Sequence, residues 1–250
     1  MLKLKNITIT FGSNTVLNNL SCTIAPGDFV VIVGANGAGK STFFDLIAGK
    51  IKPTSGQILL DDLDITHLDE VQRAPFISRL FQNTKQSVVP SMTVAENLAM
   101  ALYKNKPISL KNGMASFPTD IITTLLKPLN LDGLMQKPMG MLSGGQRQMI
   151  AFIMATLQPP RLLLLDEPTA ALDPASATKL LTFATAYLKQ HQITTLLITH
   201  DPQLALALGN KLWVLENEGI GKMFTGDEKR NVTPENLVGH IDYKALAHNS

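Results

Sequence analysis

Cysteine is nearly absent from this chain: Cys22 is the only one among 250 residues. An intrachain disulfide is therefore impossible, a zinc-binding insertion built on cysteines is excluded, and a reducing compartment is natural. Net charge is small, since 22 Lys and Arg against 20 Asp and Glu leave a formal +2. No Lys/Arg run with interleaved aromatics occurs, so nothing points to a nucleic-acid partner. Uninterrupted apolar runs of about 20 residues, the length that crosses a bilayer, are missing too. Any membrane role must then be carried by a partner. The opening Met1-Leu2-Lys3-Leu4-Lys5 alternates like a strand and has no apolar core of a secretion signal. Internal repeats and low-complexity tracts are also lacking.

What is present is a phosphate-binding pattern. Gly34-Ala35-Asn36-Gly37-Ala38-Gly39-Lys40-Ser41-Thr42 follows the continuous apolar run Phe29 to Val33, which reads as a buried parallel strand. It precedes Ser41 to Ala48, whose apolar spacing fits a helix. Such a helix points its positive N-terminus at the phosphates, and Gly34, Gly37 and Gly39 let backbone N–H groups approach them. Lys40 then reaches the β- and γ-phosphates, and the Ser41 hydroxyl is a hard oxygen ligand for Mg2+. A second apolar run, Leu162 to Leu165, ends in Asp166-Glu167. That pair suits a metal ligand, Asp166, and a general base, Glu167. Alone it is more often the solvated end of an ordinary strand; beside an intact phosphate loop the catalytic reading is favoured. Leu142-Ser143-Gly144-Gly145-Gln146 opens an apolar-patterned helix that Pro159-Pro160 stops, and its N-terminus is a second anion site.

Across about residues 1 to 225 these motifs resemble the ATP-binding cassette (ABC) family of ATPases. The resemblance implies an α/β fold: a P-loop NTPase core with an N-terminal antiparallel β region and an inserted α-helical subdomain. It implies ATP and Mg2+ as cofactors, with Phe11, Gly34, Asn36, Gly37, Ala38, Gly39, Lys40, Ser41 and Thr42 on the nucleotide and Phe11 stacked on the adenine. Relatives often carry Tyr where this chain has Phe11; stacking needs only the ring face. Ser143, Gly144, Gly145 and Gln146 match the family signature, which binds the γ-phosphate held by the other subunit of a head-to-tail homodimer. Asp173 resembles the residue at that dimer interface, although Asp173-Pro174 is also an ordinary helix start. Gln82 resembles the glutamine that touches Mg2+ or the attacking water. His200, after the apolar run Thr194 to Thr199, resembles the histidine that bonds the γ-phosphate and orients Glu167. Catalysis is thus assigned to Glu167, His200 and Gln82, and the metal to Ser41, Gln82 and Asp166.

The same resemblance implies a cassette domain over 1–225, with a helical subdomain about 83–160 inserted in it, and a short C-terminal tail over 226–250. Helices are expected near Thr93 to Leu102 and Thr119 to Leu129, with a loop over Tyr103 to Pro118. Residues Gln86 to Met100 are expected to line a groove that receives a helix of an integral membrane permease. The function implied is that of the ATP-hydrolysing subunit of a bacterial transporter, peripheral on the cytoplasmic face of the cell membrane. Import of a small solute such as an amino acid, through an extracytoplasmic solute-binding protein, is favoured. An exporter or lipid transporter is the alternative. A soluble non-transport relative is disfavoured, because tandem cassettes and long heptad segments are missing.

Overall fold

The structure, a computed structural model, describes residues 1–104, 114–216 and 218–242. In chain order the strands are β1 (Leu2–Phe11), β2 (Asn14–Ile24), β3 (Phe29–Gly34), β4 (Ser55–Leu60), β5 (Leu63–Asp64), β6 (Ile77–Leu80), β7 (Leu162–Asp166), β8 (Thr195–Ile198), β9 (Lys211–Glu216) and β10 (Gly219–Thr225). The helices are α1 (Lys40–Ala48), α2 (Glu70–Arg73), α3 (Val94–Leu102), α4 (Thr119–Leu126), α5 (Gly144–Thr156), α6 (Pro174–Gln190), α7 (Pro202–Ala207), α8 (Gly226–Arg230) and α9 (Pro234–Asp242). They fall into two compact units, one of residues 1–78, 161–167 and 192–250, the other of 79–160 and 168–191.

In the first unit β1 illustrates how sequence becomes sheet. Leu2 and Leu4 are buried, then Ile7 and Ile9, so the buried set changes from even to odd positions. Strict alternation cannot do that. A register shift between Leu4 and Ile7 accounts for it, with Asn6 at φ 51° and its amide bonded to Asn19 at 2.8 Å. An extra residue at a bulge flips the pleat once and returns the apolar set to the core. β1 pairs antiparallel with β2 and β4 in a four-stranded sheet of order β2-β1-β4-β5.

The six-stranded sheet runs β10-β9-β3-β8-β7-β6. β3 lies parallel to both β8 and β9, β7 lies parallel to β8, and β10 is antiparallel to β9. Val30 to Val33, Leu162 to Leu165 and Thr195 to Ile198 are buried throughout, as the continuous apolar runs require of strands covered on both faces. Phe43, Phe44, Leu46 and Ile47 of α1 join Leu2, Ile24, Ile58, Leu164, Ile198 and Trp213 in one apolar cluster. From Gly226, where the sequence suggests a polar tail, the described residues form α8 and α9 and belong to this unit. Leu237 is buried there, and so is Lys229, whose ammonium donates to the Leu208 and Gly209 carbonyls. Burial pulls the Lys229 pKa down to about 8.

The second unit is helical. Thr93 and Glu96 close a capping box at the start of α3. Asn97, fully buried, accepts from the Val89 N–H at 2.8 Å and donates to the Val89 and Thr93 carbonyls. These bonds fix the chain before α3 onto the helix itself. The second helix expected, over 119–129, is α4 followed by a 3-10 turn at Lys127–Leu129. Residues 168–191 group with this unit through α6, where Phe183 and Tyr187 meet Phe152 of α5 edge-on at 6.1 and 6.2 Å between ring centres. Of the loop expected over 103–118, residues 105–113 lie outside the described residues.

Candidate functional site

β3 delivers the phosphate-binding residues. Its last residue is Gly34, and α1 begins at Lys40 with Gly39 at the capping position, φ 88°. A Cβ on Gly39 would sit 3.1 Å from Val16 Cγ1 in a backbone region that side chains disfavour, so glycine is required twice over. No side chain caps the N-terminus of α1, and no acidic residue occupies its first turn. The first N–H groups of the helix therefore remain for an anion, aided by the helix dipole. Lys40 is only 7% exposed, and its ammonium donates to the Gly34 and Ala35 carbonyls, each at 2.8 Å. Burial lowers its pKa, while the charges of Glu167 and Asp166 oppose that shift.

Those two carboxylates sit at the end of β7. Asp166 is in register with Ile198 of β8, and the Glu167 N–H donates to the Ile198 carbonyl at 3.0 Å. The Thr199 N–H donates in turn to the Ile32 carbonyl of β3 at 3.2 Å. The carboxyl ends of three parallel strands thus bring together Lys40, Asp166, Glu167 and His200, the crevice in which open α/β sheets bind ligands. His200 Nε2 lies 2.8 Å from Glu167 Oε1. A hydrogen bond there orients the carboxylate.

Glu167 also carries a feature that its sequence does not announce. Its φ is +46°, the left-handed region. Such a conformation costs a non-glycine residue about 1–2 kcal/mol. The Ile198 hydrogen bond on one side and the His200 contact on the other hold the residue there.

Ser41 is exposed at the start of α1, with Thr42 half-buried beside it, while Asn36 and Gly37 are exposed in the loop and Ala38 is buried. The Ser41 hydroxyl and the Asp166 carboxylate offer only oxygen, which fits Mg2+ and not a soft metal. Among the described residues there is no group of three or more His, Cys, Asp or Glu able to hold a metal. Mg2+ held jointly with phosphate oxygens needs only one or two protein ligands, so the two observations agree. Phe11 ends β1, pairs with Asn14 across the hairpin and is 52% exposed, leaving its ring face open for a base.

The other expected site residues lie in the second unit. Ser143 caps α5, accepting from the Gln146 N–H at 3.2 Å, while Gln146 Oε1 accepts from the Ser143 N–H at 3.0 Å. Gln146 is therefore committed to the capping box, and Gly144 and Gly145 form the first turn between them. Asp173 caps α6 by accepting from the Ser176 N–H at 3.0 Å. The hydrogen bonds from Ser176 hold its carboxyl below the ordinary value. Gln82 follows β6 and is exposed. The left-handed backbone of Glu167 and the carbonyl cup around Lys40 escaped sequence reasoning, and no local sequence signal marks either.

Comparison with known proteins follows the same lines. A family model described as "ABC transporter" matches residues 17–170. A tyrosine transport ATP-binding protein of Clostridioides difficile is 40% identical over 97% of this chain and 99% of its own length. An Fe(3+) ions import ATP-binding protein of Escherichia coli O157:H7 is 34% identical over 87% of this chain, which spans 59% of that longer protein. The solved ADP conformation of an ATP-binding cassette from an ABC transporter superposes with a TM-score of 0.79 at 28% identity, covering 97% of this chain and 98% of the other. A dimeric cassette in a post-hydrolysis state, bound to ADP and Pi, gives 0.74 at 28% identity over 90% of this chain and 98% of that one.

Proposed function

This chain belongs to the ABC transporter family, and from that premise we propose that it is the energy-supplying subunit of a bacterial importer for a small solute, working as a head-to-tail homodimer. The chain binds ATP and is an ATPase of that family. The observation that carries the reading is the convergence of Lys40, Asp166, Glu167 and His200 at the ends of β3, β7 and β8. Lys40 is drawn to anions by a burial that leaves its charge poorly solvated, and the open N-terminus of α1 adds backbone donors beside it. The Glu167 carboxylate accepts a proton from the water that attacks the γ-phosphorus. His200 Nε2 lies 2.8 Å from Oε1, a contact that orients the carboxylate that serves as base. Mg2+, held by Ser41 and Asp166 when bound, supplies neutralisation of charge on the phosphoryl oxygens.

Ser143 and Gly145 are assigned to the γ-phosphate of the nucleotide on the partner subunit, Asp173 to the interface between the two subunits, and Gln82 to the sensing of metal or water. Two copies then make two composite sites related by a two-fold axis. ATP closes the pair because the second set of contacts exists only in the closed state, which is the differential affinity that a population shift requires. Among the described residues no helix is long and apolar enough to cross a membrane. Transport is therefore assigned to a permease that this subunit docks against, with residues Gln86 to Met100 as the docking segment and the cytoplasmic membrane face as its place.

The 40% identity with the tyrosine transport protein, over nearly all of both chains, supports an amino acid as cargo. Glu167→Gln tests the mechanism: it leaves ATP binding intact, stops hydrolysis and accumulates an ATP-dependent dimer on a sizing column. A variant that stays monomeric with ATP and Mg2+ refutes the composite site. Uptake of labelled tyrosine by cells with and without the gene tests the cargo.

A further inference from the structure

Arg73 is fully buried, and its guanidinium meets carbonyls on every side. Nη1 donates to Leu46 O at 2.7 Å and Ile47 O at 2.9 Å, in the last turn of α1. Nη2 donates to Ile65 O at 2.5 Å and Thr66 O at 3.2 Å, and Nε to Leu68 O at 2.9 Å. Asp64 is the carboxylate whose charge acts on it. A buried cation among dipoles is costly unless those dipoles are oriented towards it. Here two of them belong to the negative end of a helix, where a positive charge is favoured.

The last carbonyls of a helix have no partner within it. In α1 the Asp45 carbonyl is taken by the Lys50 and Ile51 N–H groups, and the Leu46 carbonyl by the Gly49 N–H at 3.2 Å. Ile47 depends on the guanidinium. Gly49, at φ 86°, leaves room for that arrangement: a Cβ on it would lie 2.9 Å from both Arg73 Cδ and Nε. The opposite end of α1, nine residues and about 13 Å away, is the phosphate-binding end.

We propose that Arg73 is a positioning residue for the nucleotide: by gripping the C-terminal turn of α1 and the Ile65–Leu68 segment together, it sets where Lys40 and the first N–H groups of that helix stand. The guanidinium's own hydrogen bonds end on the last turn of α1 and on the Ile65–Leu68 segment, and none of them reaches β7 or His200, although Leu46 and Ile47 share an apolar cluster with Leu164. The two consequences of losing the fork are therefore separable. Nucleotide affinity depends on the position of α1, whereas turnover of bound ATP depends on Glu167 and His200. This inference rests on the ATP-binding reading of the same site.

Arg73→Lys keeps the charge and loses the fork. With the purified full chain, calorimetric titration with ATP and Mg2+ should show a dissociation constant raised at least about 10-fold, while kcat at saturating ATP stays within about 2-fold, as expected when remote misplacement is felt through binding geometry. A merely structural role gives the opposite split, an unchanged dissociation constant with kcat lowered in proportion to the folded fraction, and that result overturns the proposal. Unchanged values of both overturn it too. Gly49→Ala, which presses a methyl group on Arg73 and on the backbone of Asp69, is the second variant. It should weaken ATP in the same direction by a smaller factor even if Arg73→Lys fails to fold, and unaltered affinity in Gly49→Ala refutes the positioning role. A wild-type chain that binds ATP without hydrolysing it, even with its permease, sinks the catalytic reading alone, because the ATP dissociation constants still decide the role of Arg73.

Discussion

Replacing Glu167 by glycine should leave the protein more stable than replacing it by alanine, although both abolish hydrolysis. Both variants lose the carboxylate and its contact with His200, so those losses cancel in the comparison and only the backbone differs. At φ +46° alanine keeps the left-handed penalty of about 1–2 kcal/mol. Glycine escapes it and loses about 0.5–1 kcal/mol through the greater freedom of its unfolded chain. The difference favours glycine by about 0.5–1 kcal/mol. At an ordinary helical or strand position the sign is reversed by a similar amount. Equilibrium urea unfolding of the two variants without nucleotide, at matched m-values, reads the difference directly. By melting it is a shift of about 1–4 °C for a chain of this size. If Glu167→Ala is instead more stable than Glu167→Gly by about 0.5–1 kcal/mol, as at an ordinary position, the left-handed backbone at this residue costs nothing and the strain argument is wrong.

Phe11→Ala should weaken ATP binding by about 1–3 kcal/mol, the worth of a base stacked on an aromatic ring, with Phe11→Tyr unchanged and neither variant losing stability; calorimetry and thermal melting together check this. Ser143→Ala removes the capping acceptor of α5 and should cost about 1 kcal/mol of stability. It should also abolish the ATP-dependent dimer of the Glu167→Gln background, read by sizing chromatography. Asp28 accepts from the Lys211 ammonium at 2.6 Å, the Asn210 amide at 2.9 Å and the Ala25 N–H at 2.8 Å. Burial alone would raise its pKa, but these bonds outweigh it and hold the carboxyl below its ordinary value of 3.8. The stability it contributes is present above that value and is lost as pH falls through the lower folded one. Asp28→Asn should therefore cost about 2 kcal/mol at neutral pH and flatten the acid limb of a denaturation profile.

Strands that are buried on both faces were legible because their apolar runs are uninterrupted: Phe29 to Val33, Leu162 to Leu165 and Thr194 to Thr199 stand within a residue or two of β3, β7 and β8. The helices that start after Thr93 and Ser143 were legible, the second from its apolar pattern and the Pro159-Pro160 stop, and in the structure a capping box opens each of them. The phosphate loop was legible for a similar reason, since its chemistry demands particular residues in succession. The bulge at Asn6 was not, because it answers to the register of β2 and β4 more than to its own neighbours. The same limit applies to Arg73, whose partners Leu46 and Ile65 are assembled only by tertiary contact. At Glu167 the sequence showed a carboxylate at a strand end and concealed the backbone. A carboxylate at a strand end is a local fact, whereas its left-handed φ is imposed by β8 and His200.

β3 is hydrogen-bonded to β8 on one side and β9 on the other, with Phe29 opposite Thr195 and Val30 opposite both Leu196 and Lys211. Each pairing closes a loop of roughly 165–180 residues, among the least local contacts a chain of this size can make. On the ribosome, the phosphate loop emerges early but has no sheet to stand on until β8 and β9 follow it out. Nucleotide binding thus becomes a property of the finished chain, and a fragment arrested before β8 holds the loop sequence without the power to grip ATP.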